Sequence, residues 1–421
     1  MYPNPQDALP LPFRPDIAQY RKRAKELAAA CKSGSQDDFR EWAARWLADL
    51  ARHAPAHEVP SQRDGARRIE QITAYAHSRL TSAGCALSEA QFVIARAHGF
   101  ESWPKFVRHL EQLGGESSET STFERAANAI VNGDRVLLER LLREDAGLVR
   151  ARSTREHRAT LLHYVAANGV ENFRQVTPPN IVDIARLLLD AGAEVDAEAD
   201  VYGGGATTLG LVVTSAHPRQ MKVQDALADL LLDRGARMGA PVRDCLMNGC
   251  PEAAVHLVMR GAPVRTLEEA AGVGRLDLLQ HIWDRGGSDR AGDGEKALRM
   301  AAWYGKPEVI VQLLQLGVNV EARDAKDGDT ALHIAAFNGQ AESAAILLRH
   351  GADVEAIDKV YGTPPIVWAL HAWLVENRSN AADYRAVVRL LAEHGARVKP
   401  EWVDDRRLRD DPELWRLLQF A

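Results

Sequence analysis

The sequence predicts an all-α chain: an α-solenoid of stacked helix pairs, preceded by a small helical domain and closed by a C-terminal capping helix. Three observations predict it. A leucine-rich stretch ending in Gly-Ala or a variant returns at Gly192, Gly235, Gly261, Gly286, Gly317, Gly351 and Gly395, 25 to 44 residues apart around a period near 33, and such self-similarity marks a repeat array. A shorter apolar helix precedes each copy, clearest in "ATLLHYVAANG", "KALRMAAWYG" and "DTALHIAAFNG". The chain is also 421 residues long, too long for one ordinary core, whereas stacked pairs need only their neighbours.

Residues 1–113 read as the helical domain. The start, "MYPNPQDALPLPFRPD", is Pro-rich and lacks the basic and apolar regions of a secretory signal. Amphipathic helices follow in "DIAQYRKRAKELAAACKSG", "DDFREWAARWLADLARH" and "ARRIEQITAYAHSRL", with a loop over "APAHEVPSQRDG". The first two resemble a degenerate repeat unit. In "LSEAQFVIARAHGFESWPKFVRHLEQLGG", Ser88 and Gln91 have the spacing of a capping box and Gly99 ends the helix. Ser102 caps the next helix, with Pro104 in its first turn. Phe92, Phe100, Trp103 and Phe106 supply a core. Residues 114–121 read as a flexible linker, 122–398 as about eight repeats, and 399–421 as the cap. In that cap Asp410 to Pro412 open a helix whose apolar face is Leu414, Trp415, Leu417, Leu418 and Phe420.

"DTALHIAAFNG" followed by "AAILLRHGADVEA" resembles the ankyrin repeat family, whose units begin Thr-Pro-Leu-His-x-Ala-Ala and end their second helix in Gly-Ala. The copy from Arg155 to Ala197 is also similar; those from Pro241 to Ser288 are degenerate. "AQFVIARAHGFESWPKF" is similar to a segment of bacterial ankyrin proteins, a likeness that carries no activity. The residue types have physical reasons. Ala335 and Ala336 allow close helix approach, and Ile346, Leu347 and Leu348 fill the space between layers. Gly339 and Gly351 end helices where φ is positive. Thr330 is an expected N-cap and His333 a hydrogen-bond bridge between adjacent turns. His163 occupies the same position, with Arg299, Gly210 and Glu268 as equivalents elsewhere, so no ring of histidines forms.

The resemblance implies a protein partner, bound on the concave side by hairpin tips and by the residues just before each first helix's final Gly. Carried over, those pairs are Ala167 and Asn168, Thr214 and Ser215, Met247 and Asn248, Gly272 and Val273, Trp303 and Tyr304, Phe337 and Asn338, Leu370 and His371. Trp303, Tyr304 and Phe337, with Met300 beside them, form an expected aromatic patch. The tip "RDAKDGD" adds Lys326, Asp327 and Asp329, and "DKVYG" adds Tyr361. "GTPPIVWALHAW" departs from the family, with Pro365 for Leu and Trp368 at a close-packed Ala position. The insertions Glu171 to Asn180 and Val375 to Asp383 are either an edge of the groove or passive surface.

Other classes are less well supported. A net charge of -6 gives no general pull toward nucleic acid, although residues 1–115 carry 16 Lys and Arg against 13 Asp and Glu. A DNA-binding alternative would use Lys105, Arg108, His109 and Gln112 on the second helix of a helix-turn-helix. An enzyme would need Asp244, Glu269, Arg299 and His371 to converge in the groove; phosphate loop, nucleophile elbow and helical metal pair are absent from the sequence. Cys245, Cys250 and His256 lack a fourth metal ligand nearby. The four scattered cysteines suit a reducing cytoplasm. No cofactor and no membrane span is expected; a small-molecule ligand in the groove stays open.

Overall fold

In a computed structural model, described over residues 4, 7–12, 15–52, 62–114, 118–239, 241–286, 290–376, 378, 381–399 and 406–419, the chain is helical almost throughout. It divides into two compact units, Met1–Gly239 and Ala240–Ala421. No described helix is long and apolar enough to cross a membrane.

The first unit opens with α1 (Ile17–Ser33), α2 (Gln36–Ala51), α3 (Gln62–Ser82), α4 (Leu87–Ala97) and α5 (Trp103–Leu113). Asp16 caps α1 by accepting from the Ala18 amide at 2.8 Å, and Gly34 ends it at φ 74°. Ser102 caps α5 with Pro104 in its first turn. The capping box expected of Ser88 and Gln91 does not form, because α4 starts two residues earlier, behind Ala86. Phe39, Trp42, Trp46, Phe100 and Phe106 are fully buried, while Phe92 and Trp103 sit at the edge of this core. Most of the loop expected between α2 and α3 lies outside the described residues. Cys31 and Cys85 are joined by a disulfide, so the cysteines no longer argue for a reducing compartment.

These helices are stitched to the chain that follows. α6 (Glu119–Val131) already begins inside the stretch expected to be linker. Ser118 donates to the Gln112 carbonyl at 2.5 Å, and Thr120 to its side chain at 2.6 Å. His109 bonds Thr154 at 2.8 Å, Arg155 donates to the His98 carbonyl at 2.8 Å, and Arg96 pairs with Glu156. Three helix pairs follow: α6 with α7 (Arg135–Glu144), a 3₁₀ segment Leu161–Ala166 with α8 (Ile181–Asp190), and α9 (Thr208–Val213) with α10 (Ala216–Gln220) and α11 (Gln224–Asp233). A short hairpin pairs β1 (Glu198–Ala199) antiparallel to β2 (Ala206–Thr207).

The insertion from Glu171 to Asn180 is neither a groove edge nor passive surface. Glu171 and Arg174 are buried. Glu171 lies 2.6 Å from Arg155 and 3.1 Å from Arg174, and Glu124 lies 2.7 Å from Arg174. A buried charge persists only when paired in this way.

The second unit stacks five pairs: α12 (Pro241–Met247) with α13 (Pro251–Met259), α14 (Leu267–Val273) with α15 (Leu276–Arg285), α16 (Arg290–Trp303) with α17 (Pro307–Gln315), α18 (Ala331–Phe337) with α19 (Ala341–Arg349), and α20 (Pro365–Leu370) with α21 (Ala381–Glu393). With the three pairs of the first unit, the described residues from α6 to α21 contain eight such helix pairs. Ala335, Ala336 and Leu347 are fully buried, as the packing argument requires. Pro365 takes the first turn of α20, where its missing N–H costs nothing. Trp368 avoids the close-packed position, which Ala369 fills, and its indole instead donates to Asp358 at 3.2 Å. α22 (Arg406–Arg409) and α23 (Pro412–Gln419) close the unit, burying Leu408, Leu414 and Leu418. Phe420 lies outside the described residues.

Candidate binding groove of the second unit

The groove starts from a missing side chain. At Gly272 a Cβ would stand 2.6 Å from Leu246 Cδ1 and 3.1 Å from Met300 Cγ. Glycine therefore lets residues of α12 and α16 close over α14. The Tyr304 hydroxyl donates to the Leu246 carbonyl across that gap. Beside this bridge lies a cavity of about 360 Å³, lined by Met247, Glu268, Lys296, Arg299, Met300 and Trp303 among others, toward the small end of ligand-sized clefts.

Trp303, 40% exposed, and the half-buried Met300 and Tyr304 belong to this wall. Met247, 60% exposed, faces the same cavity. From Trp303 an aromatic ridge continues: ring centroids are 6.5 Å apart to Phe337, 5.7 Å from Phe337 to Trp368 and 6.3 Å from Trp368 to Tyr361. Tyr361 is 73% exposed. Phe337 is half-covered: Arg378, from the second insertion, lies 3.9 Å over its ring and donates to Asn338 Oδ1 at 3.2 Å.

Two expected binding residues are displaced inward. Leu370 is 3% exposed, because the helical path runs on through His371–Val375 and turns that position into core. Asp329 is buried, its carboxylate 2.9 Å from Arg299. Asp327 is half-buried, its carbonyl accepting from the Lys359 amide at 2.9 Å. Lys326 and His371 remain exposed, His371 lying 3.5 Å from Glu376.

The histidines bridge turns as expected. Thr330 and His333 form a reciprocal cap, and His333 Nε2 bonds the Thr363 carbonyl at 3.1 Å in the next pair. His163 reaches the Ala206 carbonyl at 3.2 Å in the same manner. Arg299 does the same work, donating to the Asp329 carbonyl at 2.8 Å. In α14 the matching cap residue is Glu269, one position from the Glu268 expected, accepting from the Arg265 and Thr266 amides at 2.6 and 3.2 Å.

Glu269 is therefore committed to a cap, and of Asp244, Glu269, Arg299 and His371 only Arg299 lines the cavity. Asp324, Asp327 and Asp329 cluster closely enough to suggest a cation. Arg299 already supplies positive charge there, and Asp324 Oδ1 accepts from the Lys326 and Asp327 amides at 2.9 Å each. Those bonds, led by that from Asp327, hold the Asp324 carboxyl below its usual range. On α5, His109 is buried against Thr154 and Lys105 pairs with Glu101, which leaves a poor recognition face.

Sequence reasoning named Gly272 only as one of the groove pairs and Glu268 only as an equivalent of the histidine position, and it passed over Lys296. The signal for Gly272 was present: it alone placed glycine in a groove pair. No curated protein matches the chain. The sequence model of a family described as ankyrin repeats (3 copies) matches residues 267–358 and 298–401, the span that contains Trp303, Phe337 and Trp368. Residues 267–401 therefore carry ankyrin repeats.

Proposed function

We propose that the protein is a non-catalytic interaction scaffold whose second unit binds a partner protein in this groove. The carrying observation is Trp303 and Met247, both exposed, facing one preformed cavity. Ankyrin repeats are in general protein–protein interaction modules, and exposed aromatics set in pockets are where interfaces concentrate their energy. Rigid stacked pairs hold that surface ready, which lowers the ordering cost of association.

The test is affinity capture from native lysate with wild type beside a Met247→Ala, Trp303→Ala double variant, both verified as folded by circular dichroism. The double variant should lose roughly 2–4 kcal/mol of binding, a weakening of about 30- to 1,000-fold. Retention of the same proteins by both forms would sink the groove reading.

A further inference from the structure

We propose that the cavity takes an arginine side chain of the partner, with the guanidinium against Trp303 and paired to Glu268. This rests on the groove reading above and adds the chemistry of recognition. Most of the charges lining the cavity are already engaged. Arg299 is held by Asp329 and lies 3.7 Å from Asp324; Lys296 is 3.2 Å from Asp293; Asp324 is bonded to its own loop. The Glu268 carboxylate has no hydrogen-bond or ion-pair partner among the described residues, yet it lines the cavity beside an indole and two thioethers.

Among the lining residues Glu268 and Asp324 equal Lys296 and Arg299 in number. Asp293 and Asp329, outside the lining, are paired to those two cations and offset them, which leaves Glu268 to face a ligand cation. Aromatic faces attract cations, thioethers are polarizable, and a guanidinium both stacks and forks onto a carboxylate where an ammonium does not. The same ridge shows the interaction within the chain: Arg378 lies 3.9 Å over Phe337, whose ring centroid is 6.5 Å from that of Trp303.

The test uses the full chain and defined probes. The Trp303 indole N–H is assigned in a ¹H–¹⁵N spectrum by its loss in Trp303→Phe, and N-acetyl-arginine amide is titrated against its neutral isostere, N-acetyl-citrulline amide. Expected is a saturable change in that resonance with the arginine probe at least about tenfold tighter than with citrulline, the preference vanishing in Glu268→Gln while thermal unfolding is unchanged. Equal response to both probes, preserved preference in Glu268→Gln, or no response to either would overturn the proposal. The two readings fail separately. Loss of a captured protein in the double variant, with equal probe response, leaves the scaffold and removes the arginine. A Glu268-dependent arginine preference without any captured protein keeps the cavity's chemistry and removes the protein scaffold.

Discussion

Arg174 is buried against Glu124 and Glu171, and Arg155 also lies 2.6 Å from Glu171 and 3.6 Å from Glu124. Burial alone would raise the Glu124 carboxyl; Arg174 and then Arg155 outweigh it and hold it at about 2. Glu171 goes the same way, burial opposed by Arg174 first and then by His157 and Arg155. Removing one partner of such a cluster leaves an uncompensated charge in a dry site. Arg174→Ala should therefore cost roughly 3–5 kcal/mol of unfolding free energy, measured by urea denaturation. Trp303→Ala, at a 40% exposed site, should cost under about 1 kcal/mol in the same measurement. Equal losses in the two variants would mean that the cluster is not what holds the first unit.

At the scale of the element, the bridge from one inner helix to the carbonyl before the next is made by three copies with two side-chain types. His163 and His333 make it with an imidazole, Arg299 with a guanidinium. Arg299 carries a second duty, because the carboxylate of Asp329 is buried against it. Arg299→His should keep the bridge and cost about 1 kcal/mol, whereas Arg299→Ala loses the bridge and strands the carboxylate, at about 3 kcal/mol or more. Urea midpoints should rank wild type, histidine, alanine. An alanine variant as stable as the histidine one would show that Asp329 finds another partner.

At the scale of the whole molecule, the buried titratable groups make stability fall in acid. Burial holds His163 and His109 down to about 4 each, hydrogen bonds and neighbouring carboxylates notwithstanding; Glu124 is held at about 2. For every one of these groups the folded pKa lies below the unfolded one. Each contribution is therefore complete above the unfolded pKa and is lost as pH falls through the folded one, at about 1.4 kcal/mol for each pH unit that separates the two. The histidines act first, between about 6.5 and 4, and the carboxylates below about 4.5. His98, His109 and His163 all lie in the first unit, whereas the second holds His333 alone among the buried histidines. Melting of the first unit should therefore drop more from pH 7 to pH 4 than that of the second. Thermal scans followed by hydrogen exchange in each unit read this directly; parallel loss in both units would contradict it.

The sequence by itself determined the repeats and much of their chemistry. The Gly-Ala ends, the small residues at Ala335 and Ala336, the caps at Thr330 and Ser102 and the bridging histidines all act within one unit or between adjacent ones, where spacing along the chain translates directly into spacing in space. Trp303, Met300 and Tyr304 were legible for the same reason. Tertiary structure decided what depends on several units at once. Leu370 went inward because the helix ran on past it, Asp329 because Arg299 reached across a layer to claim it, and the Glu171 insertion because its charges found partners some 16 to 50 residues away in sequence. The cavity likewise needs Gly272 from one helix, Leu246 and Met247 from the one before, and Met300 and Trp303 from the one after. A periodic pattern specifies contacts between neighbouring layers, and the close approach that Gly272 permits, with the cavity beside it, becomes visible only when those layers are stacked.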